Sequence, residues 1–321
     1  MARSQMTRPQ LVVAALAISV TGVPARSTSA ARPPARAHHS MVYDAAARQV
    51  LVIGGSTTAD GGKTYSTFDD IWGFDGRTWR GLGSSGAERS GMAIAFDSKR
   101  ERVLAFGGYC PCRTENGGRF TDLLELNNGM WRSVSSLPTR PTTDAKMVYD
   151  SRRDRLVLFG GHAAGNARLN NVWEYDGESW TAFAGPSPEP RGDFAMAYDS
   201  RRGRTVLVGG FGQPASETWE FDGTTWTREN STGPPARTSA MVYDTKRGQM
   251  VFLNDTSETW AWTGATWTAL TKEGPPSRYL AAMAYDTPRD RVVMFGGRLG
   301  LPKPDADDTW EWDGTTWTEI K

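Results

Sequence analysis

The stretch Trp219-Glu-Phe-Asp-Gly-Thr-Thr-Trp226 is one copy of a motif that recurs along nearly the whole chain. Two tryptophans flank an Asp-Gly pair, and the second tryptophans of successive copies are 52, 49, 46, 41 and 50 residues apart. A regular period of this size indicates one supersecondary unit that is repeated six times. The other five copies are Trp72–Trp79, Leu124–Trp131 (which lacks the first tryptophan), Trp173–Trp180, Trp260–Trp267 and Trp310–Trp317.

Each repeat contains four segments with the pattern of β-strands. The first segment alternates large and small residues and ends in an aromatic residue and Asp, as in Met147–Asp150. The second is a continuous apolar run that ends in Gly-Gly, as in Leu156–Gly161, which is typical of a strand buried on both faces. The third and fourth carry the tryptophans, and the Asp-Gly between them is a hairpin turn signal.

Six units of four antiparallel strands predict an all-β chain that forms a six-bladed β-propeller. Because all four strands of a blade come from one repeat, closure of the ring would rest on packing of blade 6 against blade 1. The tryptophans are either packing residues between blades or a stacking surface for sugars or bases, and their recurrence in every repeat favours packing. The blades are expected at about 36–83, 84–135, 136–184, 185–231, 232–271 and 272–321.

The repeat also resembles a known family. Gly-Gly at the end of one strand, followed downstream by Tyr or Phe and then Trp, is similar to the Kelch repeat. The fuller motif looks like the Kelch-type repeats of exported bacterial proteins, which are related to the propeller domain of galactose oxidase. The resemblance covers residues 36–321 and implies the propeller fold. For activity it implies little, because Kelch propellers mostly bind proteins or glycans and a minority are enzymes.

The N-terminus has the three parts of an export signal. Arg3 and Arg8 precede the apolar run Leu11–Val20, and small residues follow it at Val23–Ala25 and Thr28–Ala30. A buried strand or a disordered leader is the alternative. The apolar run is too short to span a bilayer. We therefore expect a signal peptide and leader over 1–30 and a secreted or periplasmic propeller over 31–321, without a membrane anchor.

The charge balance gives no indication of a nucleic-acid or membrane partner. The chain has 37 basic and 36 acidic residues and a net charge of +1. The only two cysteines stand in Cys110-Pro-Cys112. They form a strained loop disulfide, remain free thiols, or supply half of a metal site, although zinc usually takes four ligands. We expect no cofactor, and a monomer.

One face of the propeller is expected to carry irregular loops, and irregular loops are where function concentrates. The loops between the second and third strands are long on the neighbouring blades 6, 1, 2 and 3, and they predict a wall on one side of the channel mouth. Tolerated surface loops are the alternative. The likeliest contact groups for a ligand are Tyr65, Tyr109, Arg113, Arg119, His162, Arg168, Arg298 and Lys303.

An arginine precedes the first strand of every blade on this same face. A ring of guanidinium groups around the mouth would bind carboxylates or sulfates bidentately, and the Kelch resemblance lends support, because Kelch domains that bind acidic peptides use arginines in this region. One structural arginine per blade, tying adjacent strands, is the alternative. The candidate ligand-binding members are Arg36, Arg89, Arg191 and Arg278, whereas Arg140 and Arg237 stand at shifted positions.

A second ring of positions lies five residues before the aromatic residue of each first strand. His38, Asp144 and Asp193 at these positions could form a metal or acid/base cluster at the channel entrance. Satisfied polar groups are the alternative. The full set is His38, Gly91, Asp144, Asp193, Thr238 and Leu280.

These features favour a secreted, non-catalytic propeller that binds a protein or glycan ligand through the loop face, and the arginine ring favours an anionic one. The alternative is a propeller enzyme that acts on a sugar, either an isomerase or lyase or, less so, a galactose-oxidase-like oxidoreductase. The resemblance implies that copper oxidation needs a cysteine-modified tyrosine and two histidine ligands. The chain has three histidines, His38, His39 and His162, and both cysteines lie in one loop.

Overall fold

A computed structural model describes residues 32–59, 64–137, 140, 142–211, 216–231, 233–234 and 240–321. The predicted signal segment and Arg237 and Thr238 lie outside the described residues. Six four-stranded antiparallel sheets follow one another along the chain, and each is a simple meander. This arrangement confirms the prediction of a six-bladed β-propeller with four antiparallel strands per blade.

The insertions of the first three blades contain a hairpin or a 3-10 helix. Blade 1 contains β1 (Ser40–Asp44), β2 (Gln49–Ile53), an inserted hairpin of β3 (Ser56–Ala59) and β4 (Thr64–Thr67), then β5 (Asp70–Phe74) and β6 (Trp79–Ser84). Blade 2 contains β7 (Ala93–Asp97), β8 (Arg102–Phe106), a 3-10 helix (Glu115–Gly118), β9 (Asp122–Asn127) and β10 (Met130–Ser136). Blade 3 contains β11 (Lys146–Asp150), β12 (Arg155–Phe159), a 3-10 helix (Ala164–Asn166), β13 (Val172–Tyr175) and β14 (Trp180–Ala182).

The last three blades have four strands each. Blade 4 contains β15 (Ala195–Asp199), β16 (Arg204–Val208), β17 (Thr218–Phe221) and β18 (Trp226–Arg228). Blade 5 contains β19 (Ala240–Asp244), β20 (Gln249–Leu253), β21 (Thr259–Trp262) and β22 (Trp267–Thr271). Blade 6 contains β23 (Ala282–Asp286), β24 (Arg291–Phe295), β25 (Thr309–Trp312) and β26 (Trp317–Ile320). Among the described residues there is no helix with the length and hydrophobicity needed to cross a lipid bilayer.

The first strands of the six blades surround a central channel, and the ring closes where β23 packs against β1. The hydrophobic core lies between neighbouring blades, because each sheet buries both faces against its neighbours. At the closure, Met41, Val52 and Phe74 of blade 1 pack with Val293 and Phe295 of blade 6. Blades 6 and 1 are therefore joined by the same kind of apolar contact as the other blades.

The second tryptophan of each repeat lies at a boundary between blades. The indole N–H of Trp79 in blade 1 donates to Thr309 Oγ1 in blade 6 at 2.9 Å. Trp317 donates to Thr259 and Trp267 donates to Thr218, each at 2.8 Å and each in the preceding blade. These tryptophans therefore combine apolar packing with a hydrogen bond between blades.

Three blades lack this hydrogen bond for a reason that is visible in the sequence. In these cases the third strand of the preceding blade has Ile, Leu or Val at the position of the acceptor Thr. The indole N–H then has no hydrogen-bond partner among the described residues. A buried donor without a partner costs about 1–3 kcal/mol. The tryptophans concerned are Trp131, Trp180 and Trp226, and the equivalent apolar residues are Ile71, Leu123 and Val172.

The basic turns on the opposite face also join neighbouring blades. Arg289 of blade 6 donates to Asp286 in its own turn at 2.7 Å and to the Gly76 carbonyl oxygen of blade 1 at 3.4 Å. Gly76 has a φ of +94°, and a Cβ there would lie 2.3 Å from Arg289 Nε. The Asp-Gly turn therefore needs glycine both for its backbone conformation and for the arginine that crosses it. Ala47 replaces this arginine in blade 1.

The hydrogen bonds of the tryptophans predict opposite effects for two substitutions. Thr309→Val should lower the free energy of unfolding by about 1–3 kcal/mol, because it leaves the Trp79 N–H buried and unpaired. Val172→Thr should raise it by up to about 1 kcal/mol, because it gives Trp226 the acceptor that its equivalents have. Denaturant unfolding measures both effects. The exposed Thr268→Val serves as control and should stay within about 0.5 kcal/mol. Equal effects of all three variants would contradict this account.

Candidate functional site

In five of the six blades, the structure describes a residue at the channel mouth that has an unusual backbone conformation. His38, Asp144, Asp193 and Leu280 have φ values of 56°, 58°, 57° and 59°, and Gly91 has 63°. Non-glycine residues rarely adopt this left-handed region, although Asp tolerates it better than most. Each of these residues lines the channel.

Backbone hydrogen bonds between blades hold this strained ring in place. The His38 N–H donates to the Leu280 carbonyl at 3.0 Å, and the Gly91 N–H donates to the His38 carbonyl at 2.8 Å. The Asp144 N–H continues the series by donating to the Gly91 carbonyl at 2.9 Å. The series links blades 6, 1, 2 and 3, so the side chains at the mouth project from a fixed frame.

Two imidazoles and two carboxylates meet on this frame. His38 Nε2 lies 3.6 Å from Asp144 Oδ1 and 4.0 Å from Asp193 Oδ1. His162 Nε2 lies 3.2 Å from Asp193 Oδ2. Burial raises the pKa of Asp193, but the hydrogen bond and charge of His162, together with His38 and Lys146, outweigh it and leave the pKa below its usual value.

The channel beneath this cluster is mostly apolar. It has a cavity of about 400 Å³ that is lined largely by Met, Ala, Val and Tyr side chains of the first strands. Met147 and Met241 are examples from blades 3 and 5. Polar groups thus converge at the mouth of an apolar cavity, the arrangement common in small-molecule sites.

The long loops of blades 6, 1 and 2 contact one another. In the inserted hairpin of blade 1, the Thr58 N–H donates to Asp305 of blade 6 at 3.2 Å. On its other side, Tyr65 Oη lies 2.8 Å from Ser90 Oγ of blade 2, and the rings of Tyr65 and Tyr109 are 6.1 Å apart. The predicted contact residues Tyr65 and Tyr109 are therefore neighbours.

The loops of blades 2 and 3 also approach each other. A Cβ at Gly117 of blade 2 would lie 3.7 Å from the Cβ of Ala164 in blade 3. The loops of blades 6, 1, 2 and 3 thus form a continuous wall beside the mouth. On blade 5, only residues 254–258 separate β20 from β21, so this blade carries no comparable wall.

The basic residues of the wall are in three different surroundings. Arg113 pairs with Glu115 at 2.5 Å and Arg298 pairs with Asp305 at 3.0 Å, so their charges are balanced within their own loops. Arg119 lies 5.7 Å above the ring of Tyr109. The predicted contacts Arg168 and Lys303 are exposed on the loops of blades 3 and 6.

Cys110 and Cys112 form a disulfide within the blade 2 loop. This is the first of the three states considered from the sequence. Cys110 is fully buried, whereas Cys112 is exposed. Because both sulfur atoms are bonded to each other, neither is available as a thiolate ligand for a metal.

The arginines before the first strands tie strands together within each blade, which is the second of the two roles considered from the sequence. Arg36 is fully buried and donates to the Gly54 carbonyl at 2.9 Å and to both carboxylate oxygens of Asp70 at 2.5 and 2.8 Å. Arg89, Arg191 and Arg278 make equivalent contacts with Gly107 and Asp122, Gly209 and Glu217, and Gly296 and Asp308, respectively.

These contacts correct the expectation of an anion-binding ring at Arg36, Arg89, Arg191 and Arg278. Their guanidinium groups are buried and satisfied by a carbonyl and a carboxylate of their own blade, so they tie strands together. Arg140 is exposed at its shifted position.

Two features of the site were missed from the sequence. The acidic residue two positions before the first tryptophan recurs in five repeats and is the partner of the buried arginine in four of them, as Asp70 is of Arg36. Phe211, directly after the Gly-Gly pair of blade 4, is exposed and pairs with Gly192 next to Asp193. Tyr109 and His162 also stand directly after a Gly-Gly pair. This shared position is the signal in the sequence from which Phe211 could have been found.

Comparisons with known proteins agree on the fold and leave the activity open. No family model matches the chain, so the Kelch relationship stays an expectation from the repeat. A solved structure, "Structure of YjhT", aligns with a TM-score of 0.67 and 14% identity over 90% of this chain and 99% of that chain. This similarity supports the six-bladed propeller fold.

One curated protein is similar over part of the chain. Dynein regulatory complex subunit 7 of Chlamydomonas reinhardtii is 31% identical over 122 residues, which are 36% of this chain and 10% of that protein. This chain therefore spans about a tenth of the length of that relative.

The buried ion pairs predict a stability effect at Arg36. Arg36→Leu should lower the free energy of unfolding by about 3 kcal/mol, because it leaves the Asp70 carboxylate and the Gly54 carbonyl without their donor. The exposed Arg168→Leu is the matched control and should change it by less than about 0.5 kcal/mol. Denaturant titration compares them. A stable Arg36→Leu variant would return this arginine to the ligand-binding candidates.

The equivalent pair in blade 6 predicts acid sensitivity. Burial raises the pKa of Asp308, but hydrogen bonding and charge from Arg278 and a hydrogen bond from Trp310 outweigh it and leave the pKa below its usual value. A lowered pKa stabilises the fold above the unfolded pKa, and this stabilisation is lost as the pH falls through the folded pKa. The stability difference between wild type and Asp308→Asn should be constant above roughly pH 5 and shrink below roughly pH 4. Urea denaturation in both pH ranges measures this difference in stability. A difference that does not shrink in the acidic range would contradict the lowered pKa of Asp308.

Proposed function

We propose that this chain is an exported propeller that binds a saccharide at the channel mouth, against the wall formed by the loops of blades 6, 1, 2 and 3. The observation that carries the proposal is the half-enclosed mouth, with aromatic side chains on its rim and carboxylates and imidazoles on its floor. Saccharides present hydroxyl groups and apolar ring faces, and such a surface suits both.

The rim supplies the apolar contacts. Tyr65 and Tyr109 lie side by side on the wall, and Phe211 is 37% exposed on the low side of the mouth. Aromatic rings offer large rigid contact areas at low entropic cost, so they commonly anchor ligands. Phe211 is one of the few large apolar side chains that remain exposed among the described residues, so its surface is accessible to a ligand.

The floor supplies the polar contacts. The carboxylates of Asp144 and Asp193 are acceptors for hydroxyl groups, and they carry negative charge next to the cavity. The buried arginines do not offset this charge at the mouth, because each is paired within its blade. A hydroxyl-rich ligand therefore fits the mouth better than the anionic one expected from an arginine ring.

An enzyme that acts on a sugar is the second candidate. His162 and Asp193 form a hydrogen-bonded pair at the mouth of a cavity of about 400 Å³, and proton transfer to a small substrate needs such a pair within reach. Copper-radical oxidation is less well supported, because Cys110 and Cys112 are bonded to each other and neither is free to modify a tyrosine.

The export route is part of the proposal. It rests on the charged, apolar and small-residue parts of residues 1–30, and a disulfide in the blade 2 loop suits an oxidising compartment. We further propose that the protein acts as a monomer.

A glycan array followed by calorimetry on the full chain tests the saccharide site. Phe211→Ala and Tyr109→Ala should each weaken the best saccharide about five- to tenfold, which corresponds to about 1–1.4 kcal/mol. Met130→Ala is the matched control, because Met130 is also an exposed large apolar side chain but begins the outermost strand of blade 2, β10, and does not line the channel. The Met130→Ala variant should bind this saccharide with the same affinity as the wild type.

The fate of the bound saccharide separates the two candidates. Recovery of the unchanged saccharide supports the binding function, whereas a time-dependent change in its NMR spectrum that His162→Ala abolishes supports the enzyme. Binding that survives both rim substitutions, or binding to proteins in place of saccharides, would overturn the proposed site.

A further inference from the structure

We propose that His38, Asp144 and Asp193 bind one divalent transition metal ion, such as Zn²⁺, at the centre of the channel mouth. The three side chains come from blades 1, 3 and 4 and converge only because the ring closes. One imidazole and two carboxylates form a donor set that suits zinc and its neighbours in the transition series. This site goes beyond the proposed saccharide function and does not depend on it.

The distances between the donor atoms match those of a metal site before the metal binds. Metal–ligand bonds of about 2.0–2.2 Å place two ligand atoms roughly 3–4 Å apart, depending on the angle at the metal. His38 Nε2 lies 3.6 Å from Asp144 Oδ1 and 4.0 Å from Asp193 Oδ1, and all three donor atoms lie within 4.8 Å of one another. An ion can therefore enter through adjustments of the three side chains, without a rearrangement of the backbone.

The present contacts leave His38 incompletely satisfied. Its Nε2 atom is buried and has no hydrogen-bond partner among the described residues, although two carboxylate oxygens face it at 3.6 and 4.0 Å. These separations are too long for direct hydrogen bonds. A metal ion bonded to all three atoms fills this gap and also offsets the charge of the two carboxylates.

A supporting residue lies next to one ligand. His162 Nε2 is 3.2 Å from Asp193 Oδ2, the carboxylate oxygen that does not face His38. Groups that hydrogen-bond to a ligating carboxylate fix its orientation, and their loss typically weakens metal binding 10–100-fold. We therefore assign His162 as a positioning residue. Lys146 lines the same channel, and its positive charge would repel a bound metal ion.

The backbone holds these ligands as a metal site requires. His38, Asp144 and Asp193 all have left-handed backbone conformations, and hydrogen bonds between blades fix the first two. Three protein ligands leave further coordination positions, which open onto the channel and its mouth. Zinc sites with three protein ligands keep such a position for water or substrate, so a saccharide hydroxyl could take it.

The test is metal binding by the untagged full chain in the absence of saccharide. After chelation and dialysis against Zn²⁺, inductively coupled plasma mass spectrometry should find one zinc ion per chain. Substitution with Co²⁺ should give visible absorption bands of a nitrogen–oxygen site. Asp144→Asn and Asp193→Asn should lower affinity at least tenfold. Asn also tolerates the left-handed backbone conformation, so both variants should fold.

The controls separate this site from other acidic groups. Glu88→Gln changes an exposed carboxylate beside the disulfide on the same face, and it should bind zinc as the wild type does. His162→Ala should weaken binding about 10–100-fold without changing the one-to-one stoichiometry. Wild type without retained zinc, or equal zinc in Asp144→Asn and wild type, would overturn the site. Because no saccharide is present, neither result bears on the proposed saccharide binding.

Discussion

The structure depends on apolar packing between neighbouring sheets. A four-stranded sheet that carries large apolar residues on both faces cannot bury them alone, so each blade is stable only between two others. The ring satisfies this requirement six times, and the contact of Trp79 with Phe295 across blades 1 and 6 closes it in the same way. The channel mouth is a consequence of this closure, because its side chains come from blades that are distant in sequence.

Most charged groups of the propeller stabilise this packing. On the loop face, buried arginines such as Arg36 tie the ends of strands within one blade. On the opposite face, turn arginines such as Arg289 reach the Asp-Gly turn of the next blade. Because these charges are paired, they explain the fold and not a ligand. The charges that pair incompletely, at His38, Asp144 and Asp193, are therefore the informative ones.

The repeat carries enough information to predict the architecture but not the fate of each polar group. Six tryptophan motifs and six Gly-Gly or related strand ends predict strand order, blade number and the position of the first strands. The arginine ring was predicted as a binding surface because its acidic partners, such as Asp70 and Asp308, lie about thirty residues away and were not aligned with it. A pairing between regular positions becomes visible only when both positions are compared across all repeats.

For the cluster at the mouth, the sequence identifies the residues and only the structure shows that they meet. Counting back five residues from each aromatic position selects His38, Asp144 and Asp193, but it does not say that they meet. They meet because the left-handed backbone at each position directs the side chain toward the axis, and hydrogen bonds such as Gly91 N–H to His38 carbonyl hold it there. A repeat makes every blade alike, so its binding site must come from positions where the blades differ. The left-handed ring is such a position, because in the five blades where the structure describes it the backbone is constant while the side chains range from Gly and Leu to His and Asp.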